Sequence, residues 1–439
     1  MLTPTTHTSP LSLSLSLSVC VCSSRLSSLR TQWHLGLYKK WALPLSRGFD
    51  EQYGYYLGGE DYWTHSRSGG LDWHRNDTLC TAENGTYSSV LLGDAASNFV
   101  AKHAAVDTPW FLYLPFQSVH SPLQAPTFSP ARYTNKTIRG SQLTRAKMVS
   151  ALDDGVGVVL ATLKSTQQLD NTLIVFTSDN GAPDGAALDM TYGSGMMDLP
   201  EWRATHGGID GNAPRPSRPP TGTGYPPHGG GGGSNWPMSG WKHWVFEGGV
   251  RSAAFIRYPP ITGGPRAGTV HAGLFHSVDW LPTIMAIVGG DTARNLPLDG
   301  LDITASLTSG KASDSPRKEI PIQITACSEN ARGWGGGTNI VDGPQAAMIV
   351  EDLKLIVDCY WRDSKNTSGA HVQLYNITSD IAEMDDLAAK RPEDVKRIIA
   401  RLDYWEGISV DPYNDHSIDK SCGGGKPQGK HPPHWGPWC

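Results

Sequence analysis

The stretch that most constrains this chain runs from Asn171 to Ala182, Asn-Thr-Leu-Ile-Val-Phe-Thr-Ser-Asp-Asn-Gly-Ala. Leu173 to Phe176 is a short unbroken apolar run, the pattern of a strand buried on both faces in a parallel sheet covered by helices. It ends in Asp179-Asn180-Gly181. Two oxygen-bearing side chains beyond the carboxyl end of a buried strand are placed to hold a hard cation such as calcium. The same tripeptide is also ordinary turn chemistry, and from this stretch alone both readings stand.

The preceding segments complete a unit around that strand. Trp110-Phe111-Leu112-Tyr113-Leu114 reads as a second buried strand and runs into Gln117-Ser118-Val119-His120-Ser121-Pro122. From about Leu143 to Lys164 the spacing predicts a helix, with Met148, Leu152, Val156, Val159, Leu160 and Leu163 on its apolar face. Strand, helix, strand in this order predicts a βαβ crossover and two parallel, neighbouring strands. His120 then falls in the same layer as Asp179 and Asn180. A further helix is predicted over Ala95–Ala105, with Phe99, Val100 and Ala104 on one side. Ala253–Ile256 reads as a strand, and Ser277–Val288 as a helix whose acidic first turn suits the helix dipole.

After Pro321 the pattern changes. Ala346–Val350, Leu353–Val357 and Val372–Tyr375 read as short antiparallel strands. A helix over Glu393–Tyr404 closes them, turning Val395, Ile398, Ile399 and Leu402 inward. The expected organisation is a head without fixed structure over 1–30, a main domain over 31–320, and a smaller α+β domain with a tail over 321–439. Residues 183–233 interrupt the main domain. Their Pro214, Pro216, Pro219, Pro220 and Gly229–Gly233 cannot pack a core, and about 50 residues without structure is long for a loop.

Composition excludes some functions. A net charge of -5 and a pI of about 6.3 give no basic field for nucleic acid. No apolar run approaches the roughly 20 residues of a membrane-spanning helix. None of the 7 cysteines forms a Cys-x-x-Cys pair, so a zinc site is not expected. Asn-x-Ser/Thr acceptors at Asn76, Asn84, Asn135, Asn366 and Asn376 suggest a glycosylated protein of the secretory route. The Leu/Ser-rich start makes a poor signal peptide, lacking a basic leading segment. Oligomeric state is not legible.

His34, His120, Asp179, Asn180 and Lys242 all sit beside Gly or Pro turns after strands. Each has a plain structural reading alone; together they favour one cleft. The motifs around them are Trp33-His34-Leu35-Gly36, Arg47-Gly48-Phe49-Asp50, Gly58-Gly59-Glu60-Asp61-Tyr62, Gln117–Gln124, Ser178-Asp179-Asn180-Gly181, Trp244–Arg251 and His434–Trp438. By these motifs the chain resembles the sulfatases, most closely those of the arylsulfatase B type, from Trp33 to Trp438 except for the insertion. The resemblance implies an α/β fold of the alkaline-phosphatase/sulfatase kind, a mixed sheet flanked by helices with a smaller C-terminal α+β domain. It implies hydrolysis of sulfate esters in glycosaminoglycans or aryl sulfates, in the lysosome or outside the cell. It further implies one Ca2+ ligated by Asp179 and Asn180, with His120 and Lys242 contacting sulfate. His34 would take a proton from the hydrate of a formylglycine made from Cys. A Cys327–Cys359 bridge is likewise implied, with Cys422 unpaired.

The departures bear equally on activity. The family nucleophile lies in Cys-x-Pro-x-Arg, and no such segment occurs in these 439 residues. The Asp-Asp pair after the first strand is absent too, and Gln32 stands where the family carries a sulfate-binding Lys. Three outcomes follow: a sulfatase sequence lacking part of its site, a non-catalytic protein of the same fold that binds sulfated glycan or a protein partner, or a phosphodiesterase of the superfold. The two-zinc ligand set of the last is not found.

Overall fold

The structure, a computed structural model, describes residues 12–14, 26–30, 32–106, 108–127, 140–183, 234–242, 244–291, 297–324, 345–358, 372–409 and 436–437. Its strands are β1 (Ser12–Ser14), β2 (Leu26–Arg30), β3 (Glu51–Gly54), β4 (Ser66–Arg67), β5 (Gly70–Leu71), β6 (His74–Arg75), β7 (Thr78–Leu79), β8 (Trp110–Tyr113), β9 (Thr172–Thr177), β10 (Ala254–Arg257), β11 (Glu319–Gln323), β12 (Gln345–Val350), β13 (Leu353–Asp358) and β14 (Val372–Asn376). The main sheet has the order β10-β9-β1-β8-β2-β3-β6-β7. β9, β1, β8, β2 and β3 are parallel. β10 closes one edge antiparallel, and the β6–β7 hairpin closes the other.

Strands β8 and β9 are parallel as predicted and stand on either side of β1, each in register with it at Ser12. That central strand comes from the head expected to lack structure, so this expectation is corrected at Ser12–Ser14 and at Leu26–Arg30. The physical reason is visible in the sequence: Leu/Ser alternation has the two-residue period of a strand. A sheet whose β8 and β9 are both buried has room for it between them.

Alternation along the strands divides the core into two layers. Trp110, Leu112 and Ile174 face helices α1 (Ser88–Lys102) and α2 (Gly140–Ser165), meeting Leu92, Phe99, Val159 and Leu163. Phe111, Leu173 and Val175 face the other way, onto Leu43, Phe49, Trp280 and Ile284. The helix predicted over 95–105 begins seven residues earlier and stops at Lys102, leaving Ala104 exposed beyond it. α1 and α2 approach closely where Gly93 meets Gly155; a Cβ on Gly93 would lie 2.9 Å from the Gly155 Cα.

Strands β11 to β14 form a separate antiparallel sheet. Its outer face carries helix Pro392–Gly407 through Ile398 and Leu402, against Met348, Leu355 and Leu374. Ile349, Ile356 and Tyr375 on the inner face pack on Val245 and Phe246 of the main domain. The Cys327–Cys359 pairing, Cys422 and residues 184–233 of the predicted insertion lie outside the described residues.

Candidate active site

Parallel pairing puts the carboxyl ends of β2, β8 and β9 on one edge of the sheet. The loops that leave this edge carry the predicted site residues: His34 after β2, His120 after β8, Asp179 and Asn180 after β9. This is the edge at which open α/β sheets hold ligands.

His34 is fixed from below. The Trp33 indole donates to the carbonyls of Gly36 and Ala42 at 3.0 and 2.9 Å. The Trp33 and His34 amides donate to Tyr55 and Tyr56 carbonyls, each at 3.0 Å. His34 takes a left-handed backbone (φ 50°), and its ring lies over Gly58, where any Cβ would overlap it. The next residue, Gly59, sits between two more side chains. A Cβ there would be 3.5 Å from Arg67 Nη1 and 3.7 Å from His120 Nδ1. Arg67 Nη1 also donates to the Gly59 carbonyl at 3.1 Å. The His120 loop is locked to this strip by Gln117, which donates to the Glu60 carbonyl at 2.7 Å and accepts from its amide at 3.0 Å. Tyr62 donates to the His120 carbonyl at 2.9 Å.

His34, Arg67 and His120 thus converge on one Gly-Gly strip. Burial, then the charges of Arg67 and His120, hold the His34 imidazole below its ordinary pKa. Asp72 lies beneath, fully buried, and accepts the Tyr56 and Leu57 amides at 3.0 and 2.9 Å. Burial pushes its carboxyl up to about 6, against the pull of those two amides and Arg67. Glu60 is buried beside His65 and Ser88, and burial drives it up to about 7. Neither of these two carboxylates reaches solvent, whereas the neighbouring Asp61 is half-buried and accepts from Gln124 and from the Trp63 and Thr64 amides.

A second cluster forms around β9. The Asp179 carboxylate accepts the Asn180 amide at 2.9 Å. Asn235 bridges the loops, accepting the Ala182 amide at 2.8 Å and donating to the Ala182 and Gly240 carbonyls at 2.9 and 3.0 Å. The Lys242 amide donates to Ala182 at 3.0 Å, which sets Lys242 beside the Asp179 loop. Gly181 is pressed on the 248–249 backbone, and a Cβ there would overlap the Gly248 carbonyl oxygen. Gly181→Ala is therefore expected to unseat the Asp179–Asn180 loop, with about 2 kcal/mol or more lost in urea unfolding; an unchanged midpoint would remove this view of the loop.

Calcium takes about six to eight oxygens. Asp179 and Asn180 supply two side-chain donors, and among the described residues no group of three or more His, Cys, Asp or Glu could hold a metal ion. The described residues by themselves do not fit a calcium centre.

Sequence reasoning named His34, His120, Asp179, Asn180 and Lys242 as candidates and did not name Arg67, which lies beside Gly59. The available signal was its setting in Ser66-Arg67-Ser68-Gly69-Gly70, a tight turn shortly after the Gly58-Gly59 motif.

Several known proteins are similar to this chain. Arylsulfatase J from Mus musculus is 29% identical, over 93% of this chain and 63% of its own length. N-acetylgalactosamine-6-sulfatase from Homo sapiens is 27% identical, over 70% of this chain and 52% of its own. The chain thus spans between about half and two thirds of the length of these relatives. The solved structure of Ps i-CgsB in complex with k-i-k-neocarrahexaose superposes with a TM-score of 0.64 at 23% identity, covering 90% of this chain and 74% of that one. It shows the shared fold, which is that of the alkaline-phosphatase-like sulfatases. The family model for sulfatases matches residues 27–290, which span β2, the Gly58-Gly59 strip, both candidate clusters and helix Trp280–Ile287, and the chain belongs to the sulfatase family.

Proposed function

We propose that this sheet edge receives the sulfate group of a sulfated sugar, as in a sulfuric ester hydrolase of the arylsulfatase B type acting on glycosaminoglycans or aryl sulfates. The observation that carries the reading is the convergence of His34, Arg67 and His120 on Gly58-Gly59. The two glycines let the His34, Arg67 and His120 side chains close on the backbone, and together these offer a tetrahedral anion fixed donors. In this reading His120, Arg67 and Lys242 contact sulfate oxygens, Arg67 offering a planar fork and Lys242 a point charge. His34, held largely neutral, is the proton acceptor. Asp179 and Asn180 remain the two candidate oxygen ligands for a calcium ion, fewer than the roughly six to eight it takes. The acceptor sequences at Asn76 and Asn84 support a lysosomal or secreted location.

A second reading, a non-catalytic protein that binds sulfated glycan or a protein partner, is favoured by one fact. These 439 residues contain no Cys-x-Pro-x-Arg. We therefore assign this chain binding of the sulfated sugar, and expect hydrolysis only with a nucleophile that the sequence does not supply.

Calorimetry with N-acetylgalactosamine 4-sulfate and with inorganic sulfate tests the binding. Arg67→Gln and His120→Gln should each weaken it by about tenfold, or 1.4 kcal/mol. Affinity should rise as pH falls below 6.5, because a bound anion favours protonated His34. The sign for stability is opposite. A His depressed in the folded state binds fewer protons than in the unfolded chain, so its contribution falls as pH drops through 6.5. Equal affinity in wild type and both variants would remove the proposed site.

A further inference from the structure

A cleft of about 410 Å³ lies between β3, β6 and α1, and its lining shares no residue with the clusters described above. Arg30, the last residue of β2, lines it and is only 6% exposed. Its Nη2 is 2.5 Å from Glu51 Oε2, and its guanidinium lies 5.6 Å from the Phe99 ring centroid. Its Nε is buried without a hydrogen-bond partner. A buried guanidinium donor left unmatched is costly, and the residue that carries it lines the cleft.

The remaining walls narrow what could match it. Arg75 lines the cleft and stacks on Tyr53, 4.5 Å from the ring centroid. Glu51 is shared between Arg30 and Lys102, whose Nζ is 2.8 Å away. Three cations therefore face two carboxylates, Glu51 and Asp94, and one positive charge is left over. Tyr53 and Phe99 line the cleft as largely buried rings with Arg75 and Arg30 against them, and Asn98 adds an amide on the α1 side. One acidic group on a small ring with apolar edges and hydroxyls matches this set.

We propose that the cleft is a second binding site, for an acidic monosaccharide whose carboxylate or sulfate is held by Arg30 and Arg75. The proposal concerns a place distinct from the His34–Arg67–His120 cluster and does not depend on sulfatase chemistry. The full chain is titrated by calorimetry with glucuronate, with N-acetylgalactosamine 4-sulfate and with neutral N-acetylgalactosamine. The Arg Nε–H resonances are followed by NMR in parallel. At least one acidic sugar is expected to bind with a millimolar Kd and to shift the Arg30 Nε–H signal, while the neutral sugar leaves it in place. Which acid binds separates a carboxylate site from a sulfate site. Arg75→Ala, at an exposed position that spares the core, should weaken this binding about tenfold or more. His120→Gln, which alters only the other site, should leave the midpoint of the sugar-induced Arg30 Nε–H shift within about twofold. A sugar-induced Arg30 shift whose midpoint is unchanged in Arg75→Ala, one that disappears in His120→Gln, or an Arg30 signal that stays fixed with every sugar would each overturn the proposal.

Discussion

An aryl sulfate should remain uncleaved in the presence of this 439-residue chain, at a level at least about 10⁴-fold below a competent sulfatase. Sulfate ester cleavage needs a nucleophile, and removing one from an active site costs orders of magnitude in rate. The family makes its nucleophile from a Cys in Cys-x-Pro-x-Arg, and that segment does not occur here. Cys80 is no substitute. It packs at the margin of the core between the sheet and α1, bonded through its amide to Trp73. Burial first, then Glu83, pushes its thiol above the ordinary value, away from the reactive thiolate. His120 Nδ1 lies 2.8 Å from the Ser121 carbonyl and 3.4 Å from the Ser121 hydroxyl, too long a contact to activate that oxygen. A longer version carrying Cys-x-Pro-x-Arg upstream, coexpressed with the enzyme that forms formylglycine, should gain activity. That activity should fall sharply with Asp179→Ala or His120→Ala. Turnover by the present chain at a competent rate, sensitive to Lys242→Ala, would mean that the nucleophile has been misplaced.

Elements whose burial follows from local pattern were legible. Leu173–Phe176 and Trp110–Leu114 read as buried strands because their apolar runs are continuous, and both lie in the interior of the parallel sheet. The small sheet and its helix read cleanly because alternation and a 3.6-residue stripe agree there, as Ile398 and Leu402 show. The start of the chain did not. Its Leu/Ser repeat has a strand period but a low-complexity composition, and only pairing with β8 and β9 identifies Ser12–Ser14 as a central strand. The places of His34, His120, Asp179 and Asn180 beyond strand ends were legible for a similar reason, since a strand fixes where its loop emerges. Arg67 is carried by a two-stranded hairpin that folds back on Gly59. Its place depends on how residues 59–67 and 117–120 are locked by Gln117, which no local pattern encodes. Asp279, which opens a predicted helix, has a larger role than the dipole suggests. It takes a buried two-pronged contact from Arg317, at 2.6 and 2.5 Å, and ties the helix to the start of the small domain.

Replacing Lys354 with Met should destabilise the chain by about 3–5 kcal/mol at pH 7. Leu353 and Leu355 on either side face the core under helix Pro392–Gly407, so the strand period turns Lys354 toward the main domain, where it is 0% exposed. Its ammonium lies 2.9 Å from Glu247 Oε1 and 2.9 Å from Glu383 Oε1. The other Glu383 oxygen accepts the Glu247 amide at 2.7 Å, and Arg251 binds the other Glu247 oxygen at 2.5 Å. Two cations thus balance two carboxylates across the junction between the sheets. Without Lys354, Arg251 still serves Glu247, but Glu383 keeps a buried charge with no cation. A buried pair broken on one side costs far more than the pair itself contributes. The pH dependence follows from the two glutamates. Burial opposes ionisation of Glu247, but Lys354 and Arg251 outweigh it and hold that carboxyl below 4.5. Its contribution in the wild type is therefore full above pH 4.5 and lost as pH falls through the lower folded value. Glu383 is raised above 4.5 by burial even with Lys354 present. Its folded form holds the proton more tightly than the unfolded chain, so its contribution weakens as pH rises through that window. In Lys354→Met the unpaired Glu383 should rise further, and protonation should relieve part of the penalty at pH 5 relative to pH 7. Lys354→Met combined with Glu383→Gln should recover a large share of the loss. Urea unfolding at both pH values decides the matter: a loss below about 1 kcal/mol, or one identical at pH 5 and pH 7, would show that the junction does not depend on this buried charge set.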